Sequence, residues 1–381
     1  MRIFQVLEKN RFDTGSVQQM FQAASGLAAR GHDVTIVSQP YKPMEERCAE
    51  RGIRFRAVPL RHQFDIPSVF TLKKLLAELA PDVVHVHKGV SHAIALAAVA
   101  GTGVGAFVVN RGVSFPLDVW NRLKYMPRRV DRVVTVCEHV REIVIRSGRL
   151  PRQKVDVVYA GTDVALFDPA KYDRAGFRRE KQIGDDQFLV AHVGIRDWKG
   201  WKESIDAVAE ISAQHPHVHL IVIGCKRESA SREVREHAAL RGIAGHVTPV
   251  EYRTDMPRVF AATDLVIDTS WAGTGITGTV REAMAMEKPV IATDSGGNGE
   301  LVSSREVGWL IPMRDHETLT AAMREVIENR ALAKATGERA REHVMNHFSM
   351  EQRITKLEEV YESILARRRR SSPSSAALLP G

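Results

Sequence analysis

Short apolar runs alternate with amphipathic stretches along nearly the whole chain, which predicts strands and helices in turn. Residues 2–7 read as a strand, and Thr14, Gly15 and Ser16 form a turn. Val17, Met20, Phe21, Ala24 and Leu27 then recur at helical spacing until Gly31 stops the helix. His32 and Asp33 lead into a second strand at 34–37, which completes a βαβ unit. The same rhythm predicts strands at 55–58, 83–87, 106–110, 132–137 and 155–159. Helices at 41–51, 69–79, 93–100 and 139–147 separate them. A charged segment poor in apolar residues, 169–186, interrupts the pattern. It resumes with strands at 189–193, 218–223, 247–250, 265–267, 290–292 and 308–311, again with helices between. The last helix, 350–365, places Ile354, Leu357, Val360, Tyr361 and Ile364 on one face.

This alternation predicts an α/β protein of mainly parallel sheets with helices on both faces. We expect two doubly wound Rossmann-like domains facing across a cleft: residues 1–168, a linker at 169–186, and residues 187–348. A basic tail, 367–381, is expected to be disordered.

The stretch DLVIDTSWAGTGITGTVREAMAMEKPVIATDSGGNGEL, residues 264–301, organises the candidate chemistry. Gly273, Gly275 and Gly278 follow one short strand, and Gly296, Gly297 and Gly299 follow the next. Glu282 is expected at the start of the helical run between them. Glycine turns at the carboxyl ends of neighbouring strands are where open α/β sheets bind ligands, and amides at helix starts favour phosphate. A phosphorylated ligand is the first expectation.

Composition adds little until charge is considered. The 381 residues are 44% hydrophobic and 26% charged, ordinary for a soluble chain of about two domains. A net charge of +8 suits an anionic partner, whether phosphorylated substrate, anionic membrane or nucleic acid. Motifs of nucleic-acid binding are absent, so we expect no nucleic-acid partner. Arg111, Arg122, Lys124, Arg128, Arg129 and Arg132, interspersed with Trp120, Tyr125 and Met126, form a basic set suited to an acceptor or a membrane surface. Cys48, Cys137 and Cys225 are too scattered for zinc and point to a reducing compartment. His85 and His87 lack a third ligand, so no metal is expected. No signal-peptide pattern and no apolar run of about 18 residues is present.

Five segments, taken in order, carry a resemblance: VVHVHKG around His85 and His87, VVTVCEHVR at 133–141, VVYAGTDVALFDP at 157–169, VAHVGIRDWKG at 190–200, and REAMAMEKPVIATDSGGNGEL at 281–301. Together they resemble the retaining glycosyltransferases of family 4, of GT-B fold, over about residues 1–366. The resemblance implies an acceptor-side first domain, a donor-binding second domain and a final helix, 349–366, crossing back to the first. It implies anomer-retaining, metal-independent hexosyl transfer from a nucleoside-diphosphate sugar, UDP-hexose first, to a hydroxyl of a glycan or lipid-linked acceptor. It needs no cofactor beyond that donor.

Residue by residue, the resemblance implies that Glu282 holds the ribose hydroxyls as the second glutamate of an EX7E pattern. The first glutamate is replaced by Thr274. Gly275, Ile276, Thr277, Gly278 and Thr279 then form the loop meeting donor phosphate and sugar. Lys199 and Arg196 steady the leaving diphosphate, and His87 contacts the donor sugar. Gly15 and Ser16 form the first loop, with serine where a second glycine is usual. The implied setting is bacterial cell-surface polysaccharide or lipopolysaccharide assembly in the cytoplasm, at the inner face of the membrane. Two alternatives stay open: a non-catalytic sugar-nucleotide binding protein, which Thr274 favours, and a GT-B epimerase or phosphorylase.

Overall fold

A computed structural model of the chain describes residues 1–12, 14–272 and 275–371. The chain divides into two compact units. One is Met1–Gly161 together with the last helix, Met350–Ser371, and the other is Thr162–Ser349.

The first unit holds a sheet of β1 (Arg2–Leu7), β2 (Asp33–Ser38), β3 (Arg54–Ala57), β4 (Val83–Val86), β5 (Ala106–Arg111), β6 (Arg132–Thr135) and β7 (Val155–Val157). The order is β3-β2-β1-β4-β5-β6-β7, and every pairing is parallel. The second unit repeats the plan with β8 (Phe188–Val193), β9 (Val218–Cys225), β10 (Val247–Glu251), β11 (Leu265–Asp268), β12 (Val290–Thr293) and β13 (Trp309–Ile311). Its order is β10-β9-β8-β11-β12-β13, again all parallel. Parallel strands must be joined by crossovers, and helices supply them, so each sheet is covered and its inner strands are mainly apolar, broken by a few buried polar residues such as Gln5, His85 and His192. The order reverses between β1 and β4 in one sheet and between β8 and β11 in the other. A ligand crevice forms at such reversals, outside the carboxyl ends of the strands.

The last helix completes the first core. Met350, Ile354, Leu357, Tyr361 and Ile364 pack with Ile3, Met20, Leu27, Ile36 and Val83. It lies so close to the helix Gly15–Ala29 that a Cβ added at Gly26 would sit 2.0 Å from Ile354 Cδ1. The helix continues through 367–371, where a disordered tail was expected, because Arg368 reaches the Asp131 carboxylate at 2.8 Å. Residues 372–381 lie outside the described residues.

Residues 169–186, expected as a linker, are folded into the second unit. They carry the helix Ala175–Lys181, in which Phe177 and Arg178 are buried. Arg178 donates to the carbonyls of Ala262, Gly184 and Gln187 and pairs with Asp264 at 2.8 Å. The charge that made this stretch look like a linker is thus a buried anchor. A further helix, Val119–Tyr125, arises where the pattern predicted none. Among the described residues no helix is long and apolar enough to cross a membrane.

Candidate functional site

In the second unit, the loop after β8 and the turn after β11 meet at the strand-order reversal. Gly194 and Gly200 bracket the loop with φ of 108° and 76°. A Cβ on Gly200 would lie 2.3 Å from the Thr269 carbonyl oxygen, so only glycine fits there. A buried polar chain ties the loop down. His192 Nδ1 lies 2.9 Å from Ser204 Oγ, which lies 3.1 Å from Thr269 Oγ1, and Thr269 donates to the Gly200 carbonyl at 2.6 Å. Burial holds the His192 imidazole down at about 4, so it is neutral. The Trp271 amide donates to the Trp198 carbonyl at 3.0 Å, joining loop to turn.

Lys199 and Arg196 both stand on this loop. Lys199 Nζ lies 3.7 Å from Asp268 Oδ2, at the end of β11. Burial alone would raise the Asp268 carboxyl; Lys199, hydrogen bonds from Ser270 and the nearby His192 outweigh it and hold the group below its usual range. Asp268 Oδ2 has no hydrogen bond of its own, so Lys199 is its counter-charge. Arg196 is exposed and makes no ion pair among the described residues. Its guanidinium lies 5.8 Å from the Trp198 ring centroid, and Lys199 Nζ lies 5.2 Å from the same ring.

Thr274 lies outside the described residues. Gly275, Ile276 and Thr277 are buried, and Gly278 and Thr279 open the helix Gly278–Ala285. Asn298 locks the two glycine turns together: its side-chain oxygen accepts from the Thr277 amide at 3.2 Å, and the Gly297 amide donates to the Gly275 carbonyl at 2.8 Å. The first-turn amides of Gly278, Thr279 and Val280 have no intrahelical carbonyl to bond and are available to an anion.

Glu282 does not start this helix, as the pattern suggested; it sits in its second turn, because the helix begins on the glycine and threonine of the turn itself. Burial lifts its carboxyl to about 7, partly offset by Arg281. Arg281 is itself buried and donates to Thr162 Oγ1 at 2.6 Å, so it faces away into the unit. A small pocket at the ends of β11–β13 is lined by Glu203, Thr269, Thr293, Ile311, Arg314 and His316.

In the first unit, Gly15 and Ser16 begin the helix after β1, and His87 directly follows β4, so all three flank the β1/β4 reversal. A Cβ on Gly15 would meet nothing within 4 Å, so the space beside it is open. His85 and His87 project to the same side of the strand path with rings stacked at 4.4 Å. Their buried partners were missed: Tyr361 fits the apolar face of its helix, whereas Gln5, a polar residue inside the apolar run of β1, is the sign that could have found it. Asp268 was missed in the same way, although an acid closing an apolar strand is a usable sign. Among the described residues no cluster of three or more His, Cys, Asp or Glu side chains could hold a metal ion.

Two family models match the chain. Glycosyltransferase Family 4 matches residues 14–166, and Glycosyl transferases group 1 matches residues 173–343. The chain is similar to the lipopolysaccharide core biosynthesis mannosyltransferase LpcC of Rhizobium leguminosarum bv. viciae, 28% identical over 246 residues, 64% of this chain and 67% of that protein. It is 25% identical over 367 residues, 91% of this chain and 94% of the other, to a GDP-mannose-dependent phosphatidylinositol monomannoside mannosyltransferase of Mycolicibacterium smegmatis. Among solved structures, Anabaena HepE in complex with UDP superposes with a TM-score of 0.83 at 19% identity, covering 95% of this chain and all of that one.

Proposed function

We propose that this chain is a glycosyltransferase of GT-B fold, related to the group 1 and family 4 enzymes, that carries out retaining, metal-independent hexosyl transfer from a nucleoside-diphosphate sugar. The observation that carries the proposal is that Lys199 and Arg196 stand on the loop after β8 while the amide-rich turn 275–279 follows β11, the two strands that flank the reversal. A diphosphate seated on that turn gains negative charge as the sugar departs. Cations already in place stabilise this charge more in the transition state than in the ground state. The Asp268 carboxylate, 3.7 Å from Lys199 Nζ, holds that side chain at the end of β11 before the ligand arrives. Glu282 accepts hydrogen bonds from the ribose hydroxyls. His87 keeps the role its motif implies, contact with the donor sugar. The acceptor hydroxyl attacks on the face the diphosphate leaves, and a diphosphate oxygen takes its proton, so no carboxylate nucleophile is required at position 274.

The expected donor is a UDP-hexose, as suits the UDP-bound HepE; the mannosyltransferase relatives favour GDP-mannose as the alternative. The acceptor is a glycan or lipid-linked hydroxyl at the inner face of the membrane. Supporting that setting, Phe115, Val119, Trp120, Leu123 and Met126 are exposed apolar residues interspersed along the chain with Arg122, Lys124 and Arg128, a combination suited to anionic lipid. Calorimetric titration with UDP, GDP and ADP, then with their hexose forms, tests the donor assignment. One nucleotide should bind, and Lys199→Ala and Glu282→Ala should each abolish it. NMR of the product anomer tests retention. A well-folded protein that binds no nucleotide would defeat the proposal.

A further inference from the structure

A chain of buried polar side chains connects His87 to the last helix. Gln5, on β1, stands in the middle of it. Its Oε1 lies 2.5 Å from His87 Nε2, its Nε2 lies 3.4 Å from the Tyr361 hydroxyl oxygen, and that oxygen lies 2.6 Å from His85 Nδ1. Gln5, His85 and Tyr361 are fully buried and His87 nearly so. Arg353, about two turns earlier on the same helix as Tyr361, donates to the Val158 and Tyr159 carbonyls at 3.0 and 2.8 Å, which fixes the helix against the sheet.

Donor and acceptor roles along this chain follow by elimination. Burial holds both imidazoles far below their usual range; the neighbouring His87 and then Arg353 add to it at His85, and Arg353 adds to it at His87, which lies at about 3. Each is therefore neutral and carries one N–H. The 2.5 Å contact is too short for nitrogen against nitrogen, so the amide oxygen of Gln5 faces His87 and accepts from it. The amide nitrogen then donates to Tyr361, and the tyrosine hydrogen has one remaining acceptor, His85 Nδ1. His85 Nε2, buried without a partner, closes the series. His87 is left with its hydrogen on Nε2 and a lone pair on Nδ1.

We propose that Gln5 and Tyr361 are positioning residues for the transfer reaction: they fix His87 in its Nε2–H form, so that Nδ1 accepts a hydrogen bond from a hydroxyl of the donor sugar. This rests on the role proposed above for His87. The neutral ring then rewards a sugar hydroxyl and offers nothing to the diphosphate, which keeps sugar recognition separate from the cations at Arg196 and Lys199.

The test uses the full chain labelled with ¹⁵N-histidine. Two-bond ¹H–¹⁵N spectra of the wild type, with the His87 signals assigned by their loss in His87→Gln, should show the Nε2–H form unchanged from pH 5.5 to 8.5. In Tyr361→Phe the ring packing is retained and the hydroxyl lost, so the amide is free to turn and the His87 signals should shift toward a mixture of tautomers. Tyr361→Phe and Gln5→Leu should each lower kcat/KM for transfer about tenfold while affinity for the sugar-free nucleoside diphosphate stays unchanged. A wild-type spectrum showing the Nδ1–H form would overturn the inference without recourse to any variant. So would full transfer activity in Tyr361→Phe alongside a strong loss in His87→Gln, and in that case the role of His87 itself would stand. Unchanged transfer in His87→Gln would instead overturn the underlying role and this inference with it.

Discussion

Lys199 meets Asp268 before it meets any ligand, and that pairing sets what its removal should do. Lys199→Ala strands the buried Asp268 carboxylate and, on the role proposed above, takes away a cation aimed at the leaving group. We expect transfer to fall about 10²–10³-fold, roughly 3–4 kcal/mol of transition-state stabilisation. Steady-state kinetics with the identified donor checks this, beside a melting curve that reads the cost to the fold. Glu282 makes a pH prediction. Burial lifts its carboxyl to about 7 in the free protein, and two ribose hydroxyls donate more strongly to the carboxylate, with both oxygens accepting, than to the protonated acid. Binding at a pH close to 7 should therefore release about half a proton per nucleotide, and affinity should fall as the pH drops below 7. Calorimetry in two buffers of different ionisation enthalpy reads the release directly, and Glu282→Gln should abolish it. For the unliganded fold the sign is opposite in sense. The raised carboxyl contributes stability that is full below the ordinary value of 4.5 and is lost as the pH rises through about 7. At this scale the sequence was legible wherever a residue type is forced by its local turn, as at Gly200 and Lys199. It was silent where meaning depends on a distant partner. Gln5 and Tyr361 are separated by 356 positions, and neither carries any local sign of the other.

Elements were legible for a related reason. Strands buried on both faces read as short apolar runs, and both parallel sheets follow from them with boundaries shifted by a residue or two. The helix Val119–Tyr125 escaped because its apolar side points outward. Val119, Trp120 and Leu123 are exposed, and Tyr125 turns inward against His92 with ring centroids at 4.8 Å. That inversion is what a lipid-facing element needs. Sedimentation with vesicles of anionic lipid should carry the protein down, zwitterionic vesicles should not, and Trp120→Ser with Leu123→Ser should break the association while leaving the melting temperature within a degree or so, since neither side chain is packed in the core. Gly26 makes the opposite kind of prediction. Gly26→Val would push Ile354 out of its place in the core and cost about 1–3 kcal/mol in a denaturant titration, because that core has no room to spare.

Taken whole, the molecule is one continuous unit inserted into a discontinuous one. Thr162 and Ser349, where the chain enters and leaves the second unit, form a parallel bridge, and the Thr162 amide donates to the Phe348 carbonyl at 2.8 Å. The two crossing points therefore lie side by side. Residues 162–349 should fold when expressed alone, whereas residues 1–161 alone should not, since the sheet lacks Ile354, Leu357, Tyr361 and Ile364. Joining residue 161 to residue 350 through a short glycine-rich linker should restore a cooperative melt to the first unit; circular dichroism of the three fragments checks all of this. The sequence announced the last helix by its apolar face. It concealed that the segment 169–186 is structural, because a buried arginine satisfied by three carbonyls reads as solvated charge.

The discontinuity of the first unit has a consequence during synthesis. On the ribosome its strands emerge first, yet the helix that closes them emerges only after the whole of the inserted unit. The inserted unit is complete much earlier and can fold while the first still waits. A chain that stops short of residue 361 lacks the cover over the first sheet, and should leave that unit unfolded although the second is complete.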